Sequence, residues 1–584
     1  MFRLALLLAL FIPGAGSYAR EKVYIHSLDG VSRNLDPTQL ESYYSALIAG
    51  EIYDSLYIYK SLKIPRELRP SLALAMPDIS PDGLTWTIRI RRGVYYADDP
   101  AFPGGKGREV VAGDFVYGLL RHFDPKNRSV NRTAFEGIVG LQEWRKSLDY
   151  GATVPGLQAP DAYTIRIRLK ERNPRFIYDL ASVTAVFVPR EAVEKYGREF
   201  SQRPVGSGPF RLEKLDTTRA VLVRNPRYRK EIFNLKEEGY DPARHDALGV
   251  ADLNGKPIPM VDRVEIRFLP QVVSRWNSFV KGSEIQYARV PGEMAKDILA
   301  SMDPPRLKKT YADRFILKPE METGLVYSTF NMSDERFGHN KDPGRDRRNR
   351  ALRCAIKKAF DWKARIKRFY YGFGEAYPGS VPPGLPGFHR FPDSWIAKDI
   401  PGAKKLLAEA GWNKDNLPVL TYGAAGGVRS RQMFEQFRGW IRRIGYPRHK
   451  IKLRIAPTFG DYIKDINEGR YTVFGLGWVP SMPDPLQLME RYYGGSLAPG
   501  SNKAFFQNSE FDELYREVSL LENGAKRFGL LQKMNRIVME ECVAMEAFSR
   551  KRLHVWHRNV KMDYSTNLRR RLFRYISVGD PTAH

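Results

Sequence analysis

A mixed α and β fold is the class this sequence predicts. Three observations carry that expectation. Stretches with period-two alternation recur between stretches with helical spacing along the whole chain. Hydrophobic residues make up 43% and aromatic residues 12%, enough to fill folded cores. At 584 residues the chain exceeds what one core supports, so two or three domains are expected.

In chain order, Thr85 to Arg91 alternates polar and apolar residues and predicts a half-buried strand ended by Gly93. Tyr163 to Leu169 and Val261 to Leu269 alternate in the same way. Asp114 is placed to cap a helix that turns Phe115, Leu119 and Leu120 inward. Leu352, Ala355, Ile356, Ala359 and Phe360 fall at helical spacing, and Asp361 caps the next helix, which carries Ile366, Phe369 and Tyr370. Ala403, Leu406, Leu407 and Ala410 form a third stripe, stopped by Gly411. Tyr471 to Trp478 lacks polar alternation and predicts a strand covered on both faces. Leu530, Leu531, Met534, Ile537, Val538 and Cys542 form the last stripe. No internal repeat is found, and the Pro- and Gly-rich stretch Tyr377 to Pro392 reads as an irregular loop inside a domain.

The N-terminus has the form of an export signal. Met1-Phe2-Arg3 is a positive start, Leu4 to Ile12 is an apolar run too short to span a bilayer, and Ser17-Tyr18-Ala19 supplies small residues for cleavage. Residues 1–19 are therefore expected to be removed, leaving a protein released, soluble, on the far side of a membrane. The only cysteines are Cys354 and Cys542, so no N-terminal cysteine is present to carry a lipid. The two could pair in an oxidising compartment. Cys542 continues the apolar face of its helix four residues after Val538, however, which favours a buried free thiol. The formal charge of +28 becomes +27 once Arg3 leaves with the signal. In an exported chain that surplus points to anionic surfaces and polymers rather than to nucleic acid.

Catalytic and metal signatures are not found. The nine histidines are scattered, and the close pair His554 and His557 lies on a strand-like segment where the two point to opposite faces. Gly206-Ser207-Gly208 lacks the flanks of a nucleophile elbow, and no phosphate loop occurs. The expectation is no enzyme, no cofactor and no metal.

Several segments, in order, resemble the family 5 extracytoplasmic solute-binding proteins of ABC importers, the oligopeptide- and dipeptide-binding type. They are Leu35-Asp36-Pro37 with Ile48 to Tyr57; Trp86 to Tyr96 with Asp114-Phe115-Val116-Tyr117, interrupted by an insertion at Pro100 to Arg108; and Pro204 to Phe210 with Arg224 to Tyr228. Phe330-Asn331, Arg350-Ala351-Leu352, Ala403 to Trp412, and Gly477-Trp478 with Asp484-Pro485 complete the set. The resemblance implies a two-lobed periplasmic binding protein fold with a hinge (type II-like), in three domains. Domain I would be discontinuous, over 20–66, 201–288 and 549–584; domain II would cover 67–200 and domain III 289–548. It also implies a monomer that captures a peptide or peptide-like solute and delivers it to an ABC permease. A sugar, a metal chelate or haem are the alternative ligands. From a different class, an exported basic adhesion or chaperone-like protein would use its charge and no cleft.

The same resemblance nominates ligand-binding residues. Gly477 would let a ligand approach the backbone and Trp478 would give a flat wall, faced by the aromatic Phe459. Glu41, Ser42 and Tyr43 match the segment that lines the cleft from the other lobe, and Arg429 matches the region that meets a ligand carboxylate. Peptide binders of the family place an aspartate three residues after the tryptophan, and this chain has Ser481 there. A hydroxyl cannot balance a buried ammonium. Glu41 or Asp484 is left as the carboxylate for a free amine, and small unmodified peptides are expected to bind poorly.

Overall fold

In the computed structural model, residues 21–282, 284–562 and 571–579 are described. The expected signal, residues 1–19, lies outside them. The chain forms two lobes joined along one long strand, Ala544–His557.

The first lobe is centred on a four-stranded sheet. Val23–Leu28 runs parallel to Arg263–Phe268, and Arg219–Arg224 and Phe210–Leu215 follow antiparallel. A second, antiparallel sheet holds Asp78–Ile79, Thr85–Arg89, Thr164–Arg168 and Leu157–Asp161. The alternating segments thus become strands, because each puts one apolar face on a core that runs from Tyr24 and Ile48 to Trp86, Ile165 and Phe187. Asp114 stands inside helix Ala112–Leu120 and not at its first cap. Its carboxylate reaches back to the Val111 N–H at 3.0 Å and is held by Arg108 at 2.7 and 2.8 Å. The Pro204 to Phe210 motif has a steric reason. Gly206 and Gly208 press against the Ile52 carbonyl at the end of helix Tyr43–Ile52, leaving no room for a Cβ.

The second lobe is built on an eight-stranded sheet. From the long strand it continues through Leu325–Phe330, Val473–Trp478 and Leu420–Ala425 to Ile451–Ala456. Among the described residues, seven helices of eight or more residues pack around it, including Pro343–Ala359 and Ala525–Glu540, with Leu352, Ile356, Phe437, Leu531 and Phe548 inside. Asp361 caps helix Trp362–Phe369 by accepting from the Ala364 N–H at 2.8 Å. Val473–Trp478 is covered on both faces only at its start; Val473 and Phe474 are buried, but exposure begins at Gly475 as the strand leaves the lobe.

The expected free thiol is replaced by a disulfide between Cys354 and Cys542. Helix Ala525–Glu540 ends before Cys542, whose φ of 50° turns its side chain off the apolar face toward helix Pro343–Ala359. The helix stops two residues short of Cys542, so the apolar stripe does not reach it.

The long strand couples the lobes. Its first half pairs with Leu325–Phe330 and Gly374–Tyr377, its second half with Phe315–Met321 and Tyr287–Arg289. Phe548 belongs to the second-lobe core, Leu553 and Val555 to a small intermediate core with Trp276 and Phe279, and Trp556 to the first-lobe core. His554 faces the Tyr287 hydroxyl at 2.9 Å, while His557 Nε2 meets the Phe279 carbonyl at 2.9 Å.

Candidate functional site

Two connecting chambers lie between the lobes, of about 290 and about 520 Å³, and both are lined by Tyr43 and Ser481. The elements that form them are positioned by ordinary local chemistry. Ser42 caps helix Tyr43–Ile52 by accepting from the Ser45 N–H at 3.0 Å, which sets Glu41, Ser42 and Tyr43 on the first-lobe wall. From the second lobe, strand Val473–Trp478 delivers the following residues, Val479 to Met482, into the cleft.

Ser481 is fixed by Gln487. Its N–H donates to Gln487 Oε1 at 2.7 Å, and its hydroxyl oxygen accepts from Gln487 Nε2 at 2.8 Å. That leaves the hydroxyl proton to donate, so Ser481 suits a ligand oxygen rather than an ammonium. Asp484 is committed elsewhere. It is buried, accepts two bonds from the Arg527 guanidinium at 2.8 and 2.9 Å, and accepts from the Leu486 N–H at 2.8 Å. A doubly bonded, buried carboxylate of this kind is structural.

The smaller chamber carries two carboxylates, Glu41 and Asp179. Burial pushes the Asp179 carboxyl up to about 7, opposed only by Arg175. Arg571 lines the same chamber and is buried, with its Nη1 donating to the Ala181 carbonyl at 3.3 Å.

The larger chamber is dominated by arginine. On one wall Arg289 contacts Asp29 at 2.6 Å and Arg275 lies 3.8 Å from the same carboxylate, which also accepts from the Tyr44 hydroxyl at 3.0 Å. On the other wall Glu322 is shared by Arg550 and Arg552, each through Nε at 2.6 Å. Burial disfavours both carboxylates as anions, but the arginines outweigh it and hold each below the ordinary carboxylate range. Between the walls Tyr287 stacks on His26, with ring centres 4.5 Å apart. Burial first, and then Arg289, push His26 and His554 down to about 3, so both are neutral at neutral pH.

The other nominated residues stand apart from the chamber walls. Gly477 and Trp478 immediately precede the lining stretch, and Trp478 packs partly on the second-lobe core. Phe459 is 63% exposed at the start of helix Phe459–Asn467. Arg429 donates to the Phe369 carbonyl and covers the Tyr370 ring at 4.9 Å. Sequence reasoning missed Asp29, Asp179, Arg275, Arg289, Glu322, Arg550 and Arg552. One signal was present: Arg550, Arg552 and His554 form a period-two polar stripe on one face of a strand.

Comparison with known proteins agrees with this architecture. The family described as bacterial extracellular solute-binding proteins, family 5 middle, matches residues 67–499. Heme-binding protein A of Haemophilus influenzae is 25% identical over 500 residues, covering 84% of this chain and 80% of that protein. The periplasmic oligopeptide-binding protein OppA of Escherichia coli is 23% identical over 541 residues, covering 90% and 87%. Among solved structures, HbpA2 from Haemophilus parasuis superposes with a TM-score of 0.73 at 19% identity, covering 95% of this chain and all of that one. At that identity the superposition speaks for the two-lobed fold alone.

Proposed function

Because the chain belongs to the family 5 bacterial extracellular solute-binding proteins, we propose that it is the periplasmic capture component of an ABC importer for a peptide-like solute. In this reading the protein is exported by residues 1–19, works as a monomer and performs no catalysis. The lobes close on the solute, and the closed form is what the permease receives; closure is driven only by the ligand's tighter binding to that form.

The observation that carries the reading is the pair of connected chambers between the lobes, entered from one side by Glu41 to Tyr43 and from the other by Val479 to Met482. Their lining mixes apolar walls such as Tyr43, Ala46 and Ile58 with charged and hydroxyl groups, the combination that seats a medium-sized solute with polar groups at intervals. Relatives named for oligopeptides, dipeptides and glutathione support a peptide-like ligand. With Asp484 engaged by Arg527, a ligand ammonium is met by Asp179 and Glu41 in the smaller chamber, not by the 481–484 stretch.

Calorimetric titration of Ala-Ala-Ala and its N-acetyl form, with small-angle scattering to read closure, tests this. A binder is expected to lower the radius of gyration, and Asp179→Asn is expected to weaken the free-amine peptide more than the acetylated one. Absence of binding by any peptide, and of any co-purifying solute, would overturn the reading.

A further inference from the structure

The larger chamber carries more positive charge than the fold needs. Four arginines, Arg275, Arg289, Arg550 and Arg552, line it against two carboxylates, Asp29 and Glu322. The surplus is therefore two positive charges, since His26 and His554 are neutral. The arrangement of donors points the same way. Arg550 and Arg552 each spend only Nε on Glu322, and Arg289 spends only one terminal nitrogen on Asp29. The remaining guanidinium nitrogens of these three residues have no hydrogen-bond partner among the described residues. Their side chains are 30%, 33% and 30% exposed for Arg550, Arg552 and Arg289, and the chamber is the space they line. Arg550 and Arg552 sit two apart on the long strand and so share a face.

Guanidinium groups crowded at this density repel one another, and a planar fork with free N–H groups is matched by an oxyanion. We infer that the Arg289–Arg550–Arg552 chamber seats an acidic end of the solute, carrying up to two negative charges as carboxylate or phosphate groups. The inference rests on the solute-binding reading and adds the charge class and the direction of the ligand. Its acidic end lies in the larger chamber, and the rest passes Tyr43 and Ser481 toward Glu41 and Asp179. The Ser481 hydroxyl, with its proton free to donate, fits a ligand carbonyl at the neck between them.

The test compares Ala-Ala-Glu with Ala-Ala-Gln-amide by calorimetry at fixed ionic strength, on wild type, Arg550→Gln and Arg289→Gln. Arg550→Gln leaves Glu322 paired with Arg552 and Arg289→Gln leaves Asp29 beside Arg275, so neither orphans a carboxylate; Arg550→Lys serves as the conservative control. Wild type is expected to favour the acidic peptide by on the order of 30-fold or more, the effect of a close buried charge pair. Each Gln variant should lose most of that preference, its affinity for the acidic peptide falling far more than that for the amide, and Arg550→Lys should recover part of it. Competition by succinate would support a carboxylate source, and competition by inorganic phosphate a phosphate source. Equal binding of the two peptides, or a preference that survives in both Gln variants, would overturn the inference and leave the solute-binding reading standing. Binding of succinate or phosphate without either peptide would keep the inference and remove the peptide reading. Binding of no probe would remove both.

Discussion

Two ionic clusters in the first lobe and its cleft handle charge in opposite ways. Behind the cleft, Arg69, Arg229 and Arg574 meet Glu51, Asp54, Glu231 and Glu238 at 2.8 to 3.9 Å, three guanidiniums against four carboxylates. In the larger chamber four guanidiniums share two carboxylates. The first cluster is buried and each of its charges has an opposite charge within the chain, so it is framework. The second is partly exposed and short of negative charge, so it is completed from outside. Charge balance, more than the number of charged residues, separates structural from functional arginines here.

The contrast can be broken at its strongest point. Glu51 takes the Arg574 Nε at 3.0 Å and the Phe573 N–H at 2.7 Å in a fully buried setting. Glu51→Ala should therefore destabilise the protein by about 3–5 kcal/mol, the cost of orphaning a buried charge. Denaturant unfolding reads this directly, and a loss below about 1 kcal/mol would place Glu51 outside the framework.

The second lobe has its own framework device in the Cys354–Cys542 bridge. Cys354→Ser with Cys542→Ser should lower stability by about 2–4 kcal/mol while leaving ligand preference unchanged. Thermal melting with calorimetry on the same variant checks both halves of that statement.

Asp179 sharpens the comparison through pH. Its carboxyl is raised to about 7 from an ordinary 3.8. Between those values the folded chain keeps a proton that the unfolded chain has released. The stability Asp179 contributes is full below about pH 4 and is lost as pH rises toward 7. Asp179→Asn should match wild type at pH 4, exceed it at pH 8 and flatten the melting profile between. A wild-type profile that rises over this window and is unchanged in the variant would contradict the assignment.

The smallest stability effect is expected in the cleft. Arg550 is 30% exposed and its partner Glu322 retains Arg552. Arg550→Gln should cost less than about 1 kcal/mol of folding stability, as exposed pairs do. A large loss would make this cluster framework like the first and remove the contrast.

The fold was legible where local pattern decides structure. Alternation gave the strands at Thr85, Tyr163 and Val261, and Asp361 gave a helix cap. The ordered motifs gave the family, and the Gly206–Gly208 pair in one of them proves to be a contact with Ile52. Two misreadings share a cause. Cys542 and the end of the Tyr471 to Trp478 stretch continue the pattern of their neighbours, but each leaves the covered part of its element at a point that no residue signals. The cleft was half legible. Glu41 to Tyr43 and Ser481 stand in the chamber walls and lie in contiguous segments that resemble the family; their contact with a ligand belongs to the proposal. Asp484 is bound by Arg527, and the arginine chamber is assembled from Asp29, Arg275, Arg289, Glu322, Arg550 and Arg552. Pairings across such sequence distances leave no local signature, apart from the alternation of Arg550 and Arg552.

The central claim is that the charge deficit of the larger chamber is filled by the solute. Native mass spectrometry of the protein purified from its native host tests it most directly, with wild type and Arg550→Gln compared side by side. The account predicts an acidic solute retained by wild type and depleted from the variant. A neutral or basic solute held equally by both proteins would contradict it.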